Sequence, residues 1–127
     1  MKPESKFWQQ VKKNTPKIKW TRLESWVSFG VPDLLGYNDS CGFFMCELKV
    51  ANGNKIHLSP HQILFHTTMT KRNFILVKPP APRFAILYES SAINELRTSL
   101  SDAKITAQDD WTAIQDALIN YGKLINS

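Results

Sequence analysis

The chain has 127 residues, 43% of them hydrophobic and 21% charged, with a formal net charge of +5. A chain of that size is expected to form a single domain spanning residues 1–127 with a real core, and its composition is that of a globular protein, not a disordered one. No apolar run approaches the ~18–20 residues of a membrane span, and the polar start Met1-Lys2-Pro3-Glu4-Ser5 does not read as a signal peptide, so a cytoplasmic protein is expected.

The first segment reads as a short helix over 3–14. Pro3 suits a first helical position, Phe7, Trp8 and Val11 make an inner face, and Thr15-Pro16 ends it. Residues 18–24 alternate Ile18, Trp20, Arg22 and Glu24 against Lys19, Thr21 and Leu23, the period of a first strand. A connector follows over 25–30. Pro32 disfavours helix at Val31, and 33–37 reads as a second strand. Asn38-Asp39-Ser40-Cys41-Gly42 is a turn by composition, so the strand at 43–50 should return antiparallel. In that third strand both faces are largely apolar, as for a central strand covered on both sides.

Ser59-Pro60-His61-Gln62 opens a second helix: Ser59 caps, Pro60 takes the first position and Gln62 completes a capping box. This helix is predicted to run to about Arg72, with Ile63, Leu64, Phe65, Thr67 and Met69 on its core side. Strands are predicted at 74–77 and 84–88 and a short helix at 91–100. A final amphipathic helix at 110–125 carries the stripe Trp111, Ile114, Leu118, Tyr121 and Ile125, better docked on the core than free as a coiled-coil seam. Helix, three strands, helix, two strands and C-terminal helices make an α/β sandwich, of α+β type, around a mixed sheet.

Charge is unevenly spread. Ahead of Glu24, seven basic residues, Lys12, Lys13, Lys19 and Arg22 among them, face a single acid, Glu4, whereas beyond Tyr88 six acids face three bases. A basic front suits a polyanionic partner, and equally a plain solvated surface. Cys41 and Cys46 have no metal-ligand spacing, and His57, His61 and His66 match no standard zinc site.

The centre of the chain carries the chemistry. Glu47 and Lys49 project from one face of the third strand, about 7 Å apart, and charged groups in such a strand need partners. Asp33, opening the neighbouring strand, would bring a second carboxylate. Two carboxylates suit Mg²⁺, which takes oxygen ligands and keeps several waters; the backbone carbonyl of Leu48 is a further candidate ligand. Each element alone has a plain structural reading, and capping by itself explains Gln62.

Taken together, Gly30-Val31-Pro32-Asp33, then Glu47-Leu48-Lys49, then Leu58-Ser59-Pro60-His61-Gln62 resemble the PD-(D/E)xK nuclease superfamily, near its VRR-NUC and archaeal Holliday-junction-resolvase branches. The resemblance implies a restriction-endonuclease-like αβββαβ core and Mg²⁺- or Mn²⁺-dependent endonucleolytic cleavage of DNA. It makes Asp33 and Glu47 metal ligands, with Glu4 as the candidate acid from the first helix. Lys49 would assist the water and Gln62 would orient it. Arg22, Lys12, Lys13, Lys19 and Ser28 would contact DNA, and Glu24 falls in the same loosely matching stretch. A chain of this size fits a structure-selective enzyme acting on branched DNA, for which a homodimer is expected; residues 84–87 as an exposed edge strand, or the stripe from Trp111 to Ile125, would supply its interface. A nucleic-acid-binding module that keeps the fold without cutting is the alternative, and an accessory interaction protein a third.

Overall fold

A computed structural model of the chain describes residues 2–23 and 30–126, with side chains described through Asn120. Helix α1 (Pro3–Asn14) has Pro3 at its start, Glu4 in its first turn and Lys12 and Lys13 in its last, all favourable to the helix dipole. It stops at Thr15, whose amide and hydroxyl both donate to the Val11 carbonyl, at 3.1 and 2.6 Å. Phe7 and Val11 are fully buried, and side chains of this kind stabilise by about 1.5–3 kcal/mol each.

Three strands follow as an antiparallel meander: β1 (Lys19–Arg22), β2 (Leu34–Asn38) and β3 (Gly42–Val50). Strand β4 (Asn73–Lys78) runs parallel to β3, which demands a crossover; helix α2 (Pro60–Thr68) provides it. Strand β5 (Ile86–Glu89) returns antiparallel beside β4. A two-residue strand, β6 (Ala107–Gln108), closes the far edge, so spatial order equals chain order. Helix α3 (Ile93–Leu96) is a single turn, and α4 (Trp111–Asn126) ends the fold.

The sheet is covered unequally. On one face, Phe7 and Val11 of α1 and Ile114 and Leu118 of α4 pack with Phe44, Leu48, Phe74 and Leu76. Trp8, Trp20, Phe44 and Phe74 run edge to face through this layer, with centroids 6.4, 5.5 and 5.9 Å apart. On the other face, Ile75, Val77, Ile86 and Tyr88 pack beneath Ile93, Leu96 and Leu100. Among the described residues no helix is long and apolar enough to cross a membrane.

Several expectations need correction. Helix α2 ends at Thr68, not near Arg72, because the hydroxyls of Thr67 and Thr68 both turn back onto the Leu64 carbonyl. Its inward residue is His66, fully buried, whereas Leu64 and Met69 are 64% and 52% exposed. β3 is not covered along its whole second face, since Phe43 is 59% exposed. The segment expected as a helix at 91–100 is split into 3-10 turns around α3. Residues 84–87 do not form an open edge: Ala85, Ile86 and Leu87 are fully buried and β6 pairs outside them. The stripe of α4 is spent within the chain, with Trp111 against Phe7 and Phe84. Both surfaces expected to supply a dimer interface are therefore occupied, as far as the described side chains extend; Tyr121 and Ile125 lie outside them.

Candidate active site

A turn centred on Ser40 places residue 33 opposite residue 47, because Leu34 pairs with Cys46 and the register continues by one. The side chains of Asp33 and Glu47 accordingly meet at the end of β2. Glu47 Oε2 accepts the Asp33 amide at 3.1 Å, and Asp33 Oδ2 accepts the Leu48 amide at 3.1 Å. A strand residue turns its N–H and C=O to the same edge, so the Leu48 carbonyl faces the same side as Asp33.

Helix α2 closes the site from above. Ser59 Oγ accepts the Gln62 amide at 3.2 Å, and Gln62 Oε1 accepts the Ser59 amide at 2.9 Å, so the capping box is complete. The same Gln62 side chain does more. Its Nε2 donates to Glu47 Oε1 at 2.8 Å, and its Oε1 accepts Lys49 Nζ at 3.0 Å. Capping and site roles are thus not alternatives: the cap fixes the rotamer that links the acid to the amine.

The close approach of α2 depends on Gly30. Its φ is +84°, and a Cβ there would lie 2.1 Å from the His61 carbonyl oxygen. Gly30→Ala should destabilise by about 2–4 kcal/mol, combining left-handed strain with overpacking. Thermal denaturation measures it, and an unchanged Tm would contradict this contact.

Electrostatics set the site apart. Glu47 is 2% exposed, and its carboxyl is raised to about 8, first by burial and then by the Asp33 charge, with Lys49 opposing. The Glu4 carboxyl is also raised, by partial burial, then by Asp33, and by a hydrogen bond to Asp33 that needs a proton on one partner; Lys49 and Arg22 oppose the shift. Only when Glu4, Asp33 and Glu47 are all ionised do the acids outnumber the nearby cations, Lys49 and Arg22. Two carboxylates, a carbonyl and water are what Mg²⁺ commonly takes. Among the described residues no group of three or more His, Cys, Asp or Glu side chains is arranged to hold a metal ion.

Linkage gives a test of this frustration. A carboxyl raised from 4.5 to about 8 on folding adds stability that is full below the lower value and lost as pH rises through the upper one. His66 acts in the opposite sense: lowered to about 4, first by desolvation and then by Lys49, it takes stability away as pH falls from 6.5. Between pH 6.5 and 8 the His66 effect has ended and the Glu47 effect continues. Metal-free protein should lose Tm across that window, Mn²⁺ should restore it most at pH 8, and Glu47→Gln should flatten the profile. A wild-type Tm flat across the window would contradict the raised carboxyl.

Of the other residues expected near the site, Arg22 stands beside it, paired in register with Leu34. Lys12 and Lys13 are eight or more residues along α1 from Glu4, ~12 Å or more away. Lys19 pairs with Tyr37 at the opposite end of β2. These three lysines are not gathered at the carboxylates. Ser28 and Glu24 lie outside the described residues. His66, read from the sequence only as no zinc ligand, is a core histidine one turn after Gln62, its Nδ1 2.6 Å from Ser90 Oγ.

The mixed six-stranded sheet of the described residues, with its flanking helices, is a restriction-endonuclease-like fold. Among solved structures, the chain is similar to Hjc of Archaeoglobus fulgidus, a Holliday junction resolvase from an archaeal hyperthermophile. The TM-score is 0.56 at 13% identity, over 72% of this chain and 75% of that one. No protein-family model and no curated protein matches the sequence.

Proposed function

We propose that this chain is a divalent-metal-dependent endonuclease of the PD-(D/E)xK type, hydrolysing phosphodiester bonds in branched or otherwise structured DNA. The observation that carries the reading is the linked set in which Asp33 and Glu47 face each other while Gln62 joins Glu47 to Lys49. The shared fold with a Holliday junction resolvase supports it.

In this reading Asp33 and Glu47, with the Leu48 carbonyl, hold Mg²⁺ or Mn²⁺. A bound ion of this kind supplies Lewis-acid charge to the phosphate and lowers the pKa of water. Lys49 reaches the attacking water or the developing charge on phosphate, and Gln62 keeps its ammonium on the site side of β3. Glu4 tunes the acids rather than completing the ligand set, and Arg22 meets a neighbouring phosphate.

The test is incubation of supercoiled plasmid and of four-way, flapped, nicked and linear DNA with Mg²⁺, Mn²⁺ or EDTA. Cleavage with metal and none with EDTA is expected, branched substrates being cut first. Binding without cleavage under either metal would overturn the nuclease reading and leave a DNA-binding module on the same fold.

A further inference from the structure

The sheet face that carries Asp33 and Glu47 continues away from them in paired steps, Leu35 beside Met45 and then Tyr37 beside Phe43. Helix α2 covers the acid end through Gln62 but leaves the far end open, where Phe43 is 59% and Met69 52% exposed. Leu35, Phe43, Met45, Phe65 and Met69 line a cavity there of about 280 Å³, at the small end of ligand pockets.

Two cations in its lining separate this cavity from ordinary apolar surface. Asn73 also lines it and is only 2% exposed; its Nδ2 donates to the Met69 carbonyl at 2.9 Å, and its Oδ1 has no partner. That oxygen is sealed from solvent behind the cavity wall. Lys71 and Arg72 complete the lining, and among the described residues neither makes an ion pair. Arg72 holds this place at φ +52°, a conformation in which glycine would be easier.

We propose that this cavity receives an unpaired nucleobase of the DNA strand whose phosphate lies at Asp33 and Glu47, an inference that rests on the nuclease reading above. A flat ring fits a surface of Phe43 and methionine, with stacking as the attraction. Lys71 and Arg72 meet the flanking phosphates. Phe43 stands four residues from Glu47, ~13 Å along β3, or about four steps of stacked strand. A second copy of this chain docking through an apolar face would give the two cations no counter-charge. The proposal narrows the substrate class to DNA with an unpaired base near the cut.

The test is binding in EDTA to two duplexes, one with a single unpaired adenine and one with an abasic residue at that position, beside a measurement of mass in solution. Wild-type protein should prefer the unpaired adenine by about tenfold. Phe43→Ala and Phe43→Leu should lose the preference, while Phe43→Trp should keep it. No preference in the wild type, or a preference retained by Phe43→Leu, would overturn the proposal. So would a loss of preference that tracks a fall from dimer to monomer, since the cavity would then be a self-association surface. Because no metal is present, the result is independent of cleavage: preference without metal-dependent cutting would sink the nuclease reading alone, and cutting without preference would sink this inference alone.

Discussion

Glu47→Gln is expected to reduce divalent-dependent DNA cleavage by about 10³-fold or more while leaving the fold in place. The size follows from what the side chain does: it is one of two carboxylates facing the same point, and a neutral amide there cannot hold a cation by charge. The fold should survive because the substitution removes one of two repelling acids from a buried position, where Asp33 already pushes the Glu47 carboxyl up. Asp33→Asn should behave alike, and its remaining oxygen can still accept the Leu48 amide. Cleavage assays on the plasmid, with circular dichroism to verify folding, provide the measurement. Undiminished cleavage by folded Glu47→Gln would remove the mechanism.

Lys49→Ala should cost about 10²–10³-fold in cleavage through a different route. The ammonium is held by Gln62 Oε1 at 3.0 Å and projects from the same strand face as Glu47. It acts on charge that develops during the reaction, so its loss should lower kcat with Mn²⁺ affinity kept. Loss of metal affinity in equal measure would instead make Lys49 a support for the acids. Gln62→Ala should show both effects in part, because one side chain bonds Glu47, Lys49 and the Ser59 amide together.

Much of the site was legible because it depends on two short-range rules. Strand alternation put Glu47 and Lys49 on one face, and the compact turn around Ser40 fixed the register that opposes Asp33 to Glu47. The capping box at Ser59 located the start of α2. What failed depended on long-range packing. The apolar spacing of α2 suggested Leu64 and Met69 as core, but the helix turns Gln62 and His66 inward, so polar contacts decided its orientation. β6 has two residues, too few for any period, and without it Ile86 and Leu87 resembled an exposed edge. The expectation of DNA contact at Lys12, Lys13 and Lys19 is a separate matter: it rests on composition, which carries no direction, and Lys19 stands at the far end of β2 from the acids.

Calorimetric titration of Mn²⁺ into metal-free protein at pH 8 tests the central claim most directly, because it asks whether the two opposed acids seat a cation, without DNA or turnover. Saturable uptake with proton release is expected for the wild type, and its loss in Glu47→Gln and in Asp33→Asn. Equal uptake by wild type and both variants would contradict the account.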